Sequence, residues 1–167
     1  MNKMISHLRW LFSIHSKLEN MRISKCILMI YFLSVFPANA GDTEADISKA
    51  LDATDKGRCS KAFSILESAR NKTPNDYQVY METGAIYIRC NEQKESKQFY
   101  AKAIALAKHE TVQNQYTKSD IAVAYRAIGD YANAIIYGKE AKKMFVKAGD
   151  TNQVERMDIL ISDLQSK

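Results

Sequence analysis

The chain has 167 residues, 26% charged and 46% hydrophobic, with a formal net charge of +5. Its first 40 residues hold Lys3, Arg9, Lys17, Arg22 and Lys25 against Glu19, a net of +4, which leaves 19 basic and 18 acidic residues beyond them, a net of +1. So balanced a body gives no support for nucleic-acid binding, which needs a basic face, and its 127 residues make one domain with a modest core rather than a deep catalytic cavity with lids.

Residues 1–40 read as a leader. Arg22 and Lys25 precede an apolar run from Cys26 to Phe36, followed by Pro37 and an A-x-A site at Ala38 and Ala40. Those are the three regions of a secretory signal peptide, with its core at 21–40 and cleavage after Ala40. A run of about eleven residues is too short to span a bilayer, which takes roughly 20. An uncleaved anchor is the competing reading. Ile23, Ser24 and Lys25 before Cys26 do not form a lipoprotein box. Residues 1–20 are either an extended basic preface or untranslated, since Met21 would start a compact signal on its own. A mitochondrial transit peptide is the rival, because Glu19 is the one acidic residue before Asp42. The apolar run and the A-x-A site argue against it.

Residues 41–167 then read as helix after helix, without sustained strand alternation and with Pro74 as the one proline. Thr43 with Asp46 predicts a capping box ahead of Ile47, Ala50 and Leu51. Gly57 breaks that helix. Cys59 to Asn71 forms the next, with Ala62, Ile65, Leu66 and Ala69 on one side. Thr73 as N-cap, Pro74 in the first helical position and Asp76 predict a restart there. That helix runs to about Cys90 with Val79, Tyr80, Ala85, Ile86 and Tyr87. Asn91 turns the chain into a partner helix marked by Ser96, Phe99, Tyr100, Ala103, Ile104 and Ala107. An extra helical turn is expected between Ala107 and Asp120. Gly129, Asp130 and Tyr131 form a turn between Ile121–Tyr125 and a helix carrying Ala134, Ile135 and Ala141. Gly149 stops that helix, and Asp150 with Gln153 caps a last one whose apolar face is Val154, Met157, Leu160, Ile161 and Leu164.

One spacing recurs three times. Gly84, Tyr87, Ser96, Tyr100 and Ala103 share offsets with Ala122, Tyr125, Ala134, Gly138 and Ala141, and with Ala50, Ala53, Ala62, Leu66 and Ala69. The periods are 34 and 38 residues. Small residues at these places let two antiparallel helices approach closely, at Gly84 with Ser96 and at Ala122 with Ala134. Tyr87, Tyr100 and Tyr125 fill the space between neighbouring pairs. The pattern resembles the tetratricopeptide repeat over about 43–148. The resemblance implies an all-α, right-handed solenoid of about three helix pairs with a C-terminal capping helix. The family's early tryptophan is missing, with Asp46, Tyr80 and Lys118 in its place. Gly138 stands where a bulky aromatic normally packs, next to Tyr137.

The resemblance also implies where chemistry lies. In a stacked array the start of the Cys59 helix and the end of the Cys90 helix are antiparallel neighbours, so one disulfide is expected, with two buried thiols as the alternative. Two cysteines and His109 do not supply the four spaced ligands of a metal site, and catalysis has no triad or phosphate loop to rest on. No enzyme activity and no cofactor are expected. The first helix of each pair lines the concave side in this family, which assigns Gln78, Met81, Ala85 and Arg89 from one unit and Tyr116, Ser119, Val123 and Arg126 from the next to a groove for a partner segment. The lysine–asparagine clamp by which some relatives hold a C-terminal carboxylate is replaced by Ile47 and Leu51, Met81 and Ala85, Ser119 and Val123. The expectation is an exported protein, periplasmic or secreted, that binds another protein without nucleic acid and without stable membrane insertion after cleavage. The competing readings are a cytosolic secretion-system chaperone of the same repeat class and a non-catalytic subunit of an envelope enzyme complex.

Overall fold

The computed structural model describes residues 40–166. The leader up to residue 39 lies outside the described residues. The remainder is all-α: α1 Ala40–Asp55, α2 Cys59–Lys72, α3 Tyr77–Arg89, α4 Gln93–His109, α5 Gln115–Ile128, α6 Tyr131–Ala148 and α7 Thr151–Gln165. Among the described residues there is no strand. Each helix packs on the next, so α1/α2, α3/α4 and α5/α6 form antiparallel pairs stacked into a helical-repeat solenoid, and α7 closes the end.

Small residues set the spacing within pairs. The Ser96 hydroxyl donates to the Gly84 carbonyl at 2.8 Å. A Cβ on Gly84 would stand 2.9 Å from the Tyr100 ring, so the glycine makes room for that tyrosine. Ala122 and Ala134 are both fully buried between α5 and α6. Tyr87 bridges two pairs, with ring centroids 4.0 Å from Phe63 and 4.8 Å from Phe99. Gly138 makes room too, because α7 sets Leu160 and Ile161 within 3.3–3.4 Å of where its Cβ would be. The space left by the missing aromatic is thus taken by the capping helix, while Tyr137 stacks on Tyr125 at 5.6 Å.

Two local expectations need revision, and a third, the extra turn, is found at the end of α4. Thr43 does not open a helix: α1 is already running from Ala40, and Thr43 is buried within it. Thr73 closes α2 rather than opening α3, its hydroxyl donating back to the Ala69 carbonyl at 3.1 Å. The N-cap of α3 is Asp76, which accepts from the Gln78 N–H at 2.9 Å. The four extra residues of the third unit divide between a longer helix, 17 residues in α4 against 14 in α2, and one more residue in the following loop, Glu110–Asn114. The turns at Gly129–Asp130 and Gly149–Asp150 follow the sequence reading, each glycine left-handed and each aspartate accepting from a backbone N–H three residues on.

Candidate functional site

The first helices of the pairs and α7 form one layer. Asp55 at the end of α1 pairs with Arg89 on α3 at 3.2 Å, and the Tyr77 hydroxyl on α3 donates to Asp120 on α5 at 3.1 Å. Two depressions lie on this face. One, of about 760 Å³, has Ile47 and Leu51 of α1 and Val79 and Met81 of α3 as its apolar floor. Glu44, Asp76, Glu82 and Asp120 line it as well, and no basic residue does. The other, of about 660 Å³, lies between α5 and α7 and is lined by Tyr116, Val123, Ile159 and Leu160 with Arg126, Arg156, Asp120 and Asp163.

Of the eight groove residues assigned from the sequence, Gln78 and Met81 line the first depression. Tyr116, Ser119, Val123 and Arg126 line the second. Ala85 and Arg89 lie outside both. Ala85 is half-buried, and Arg89 is exposed and engaged with Asp55. Tyr116 and Val123 are 51% and 37% exposed, which leaves apolar surface available on this face.

The sequence reading missed Asp120, the one residue common to both depressions. Burial pushes its carboxyl above the usual range, and the nearby Glu82 pushes the same way, against the lowering effect of the Tyr77 hydrogen bond. Burial likewise raises the Tyr77 phenol. The signal for Asp120 was its helical spacing, four residues after Tyr116 and three before Val123, on the face already chosen. The lining from α7 had no comparable signal, because that helix lies outside the repeat.

Cys59 at the start of α2 and Cys90 at the end of α3 have their sulfurs 2.01 Å apart, disulfide distance, with Cα atoms 5.9 Å apart. Among the described residues no group of three or more His, Cys, Asp or Glu is placed to hold a metal, and no helix is long and apolar enough to cross a membrane.

Charge is sorted between the layers. The inner helices α1, α3, α5 and α7 carry ten acidic and five basic residues, a net of −5. The outer helices α2, α4 and α6 carry eleven lysines and arginines against three glutamates, a net of +8. The near-neutral total conceals a molecule with an acidic inner side and a basic outer side.

No known family profile matches the chain, and no curated protein matches it in sequence. Solved structures similar to it include the N-terminal domain of stress-induced protein-1 from C. elegans, at 18% identity over 74% of this chain and 97% of that one, with a TM-score of 0.48. A thermophilic TPR protein from Thermus thermophilus is 20% identical over 71% of this chain and 60% of that one, with a TM-score of 0.49. The first TPR domain of the human RPAP3 protein is 12% identical over 79% and 99%, with a TM-score of 0.49.

Proposed function

We propose that this protein is an exported, non-catalytic scaffold that holds a segment of a partner protein, extended or helical, along its inner face. The observation that carries the reading is the trough between α1 and α3, where an apolar floor is edged by four carboxylates and no cation. A segment alternating apolar and basic residues complements that surface, and the α5–α7 end, where Arg126 and Arg156 stand with Asp120 and Asp163, offers both signs of charge to a polar stretch of it. Export is supported by the leader pattern in the sequence and by the two cysteines at disulfide distance, which an oxidising compartment would join.

Site-specific photo-crosslinking in intact cells tests both halves of the reading. A benzophenone side chain at Met81 or Val123 should trap the same partner protein, and one at exposed Lys102 on α4 should not. Mass spectrometry of the trapped chain should show Gly41 as its first residue. Equal adducts from all three positions would overturn the inner-face reading, and a full-length cytosolic chain would overturn export.

A further inference from the structure

The basic side of the molecule is not used by the inner-face reading. On α6 the exposed residues Ile136, Lys139, Lys143, Val146 and Lys147 recur at helical spacing along one stripe, with Ile136 52% and Val146 58% exposed. The aliphatic stems of the lysines and Val146 enclose a shallow furrow of about 410 Å³. Glu140, the one carboxylate of α6, is held by Lys118 of α5 at 2.8 Å, and Asp158 of α7 is paired with Lys142. Neighbouring α4 adds exposed Lys94, Lys97 and Lys102. The two outer helices approach at one point, where the ammonium of Lys108 on α4 lies 5.8 Å from the Tyr137 ring centroid of α6.

We infer that this outer face, centred on α6, is a peripheral docking surface for an anionic lipid bilayer. The occupant follows from the composition of the stripe. Apolar side chains interleaved with lysines suit the boundary between headgroups and acyl chains, where stems lie on apolar surface and ammoniums reach the headgroups. Neither α4 nor α6 contains arginine, the residue that a site for bidentate phosphate recognition on nucleic acid would use. Lysines act instead as point charges attracted to a diffuse negative surface. Docking by the outer face leaves the inner face turned away from the bilayer and open to a soluble partner, and it requires no spanning helix.

Flotation with vesicles tests the inference, using the protein purified from its cell, with its N-terminus read by mass spectrometry. Any retained leader is common to all variants, so ratios between variants report the outer face. Binding to mixed phosphatidylcholine–phosphatidylglycerol vesicles should far exceed binding to phosphatidylcholine alone and fall with added salt. The double variant Lys139→Gln/Lys143→Gln should bind the anionic vesicles roughly thirtyfold more weakly, from the usual contribution of each lysine at such a surface. Lys49→Gln, the same kind of charge change on an inner helix, should bind as wild type. Ile136→Ser/Val146→Ser should also weaken binding, by a component that added salt does not remove. Equal affinity for neutral and anionic vesicles, or no loss in the lysine double variant, would overturn the inference. So would tighter binding to a single-stranded oligonucleotide that depends on the lysines and ignores Ile136 and Val146, which would assign the face to nucleic acid. A variant with altered melting is replaced by Lys143→Gln alone, for which a roughly fivefold loss is expected.

Discussion

The first helix pair and the third share one small-residue spacing, yet they are held in place by different means. The third pair belongs to a continuous apolar cluster that takes in Tyr77, Tyr100, Ile121, Ala122, Tyr125 and Ala134 together with Leu160, Ile161 and Leu164 of the capping helix. Its turns are closed by local chemistry, a left-handed glycine followed by an aspartate N-cap. The first pair has a smaller cluster, Ala50, Ala53, Ala62 and Leu66, mostly alanine, closed by Ile86 of α3. Arg58 and Glu92, at the starts of α2 and α4, supply no side-chain cap. The links from this pair to the next include the Phe63–Tyr87–Phe99 stack, Arg70 over the Phe99 ring at 4.7 Å, the Asp55–Arg89 ion pair, and Cys59 against Cys90. A repeat that buries little apolar area needs a crosslink or a neighbour. One that is covered on both sides does not.

The two ends of the molecule should differ most at the cysteines. Separation by 31 positions makes a disulfide there worth roughly 3–4 kcal/mol on the chain-entropy account. Cys59→Ser should cost about that much and leave Cys90 open to alkylation, whereas the unreduced wild type should label at neither position. Amide exchange should then show α1 and α2 losing protection first while α5 to α7 keep theirs. Uniform loss along the chain would mean that the two ends are one cooperative unit after all.

Overpacking tests the other end. Ala134 is fully buried where α5 meets α6. Ala134→Trp forces a ring between two touching backbones, a change that costs typically about 1–3 kcal/mol. The loss should appear as a lower melting temperature, with exchange accelerated in α5, α6 and α7 rather than at the cysteines. An unchanged melting temperature would show that this interface is looser than its small residues indicate.

These contrasts are legible in the sequence wherever the determining contact is local. Gly129 with Asp130 and Gly149 with Asp150 specify their turns within three residues, and both turns form as the sequence predicts. The restart after α2 differs from the expectation because Thr73, Pro74 and Asp76 offer two N-caps within one turn. Thr73 donates its hydroxyl to the Ala69 carbonyl of the preceding helix, which leaves Asp76 to accept from the Gln78 N–H as the cap. Thr43 fits a capping-box pattern, but the chain before it is already helical from Ala40. The inner face is recognisable because first helices repeat. Asp120 and the α7 lining are not, since a carboxylate's burial and a cap's second face both come from tertiary packing. The charge sorting is hidden for a related reason: net charge is summed along the chain, while the fold separates odd helices from even ones.

The smallest effect is expected at Asp120, which carries a cost where the third pair meets α3 of the second. Burial first, and Glu82 second, hold its carboxyl above the usual value. A folded-state value above the unfolded one means that the folded chain binds the proton first as pH falls. Asp120 therefore detracts from stability when ionised at neutral pH. That cost is relieved as pH drops through its folded value and is gone below the unfolded value of about 4. Asp46, Asp52 and Asp130 run the other way: hydrogen bonds from Lys72, Lys56 and Asn133 lower them, so their contributions are lost in acid. Asp120→Asn keeps an oxygen to accept from the Tyr77 hydroxyl and removes the charge. It should raise the melting temperature slightly at pH 7 and leave it unchanged below about pH 4. The same variant should weaken capture of a basic partner segment at pH 7, because it removes the charge shared by both depressions. Higher stability together with weaker binding would identify Asp120 as a charge kept for recognition. Lower stability at pH 7 would show instead that the carboxylate is a structural partner of Tyr77.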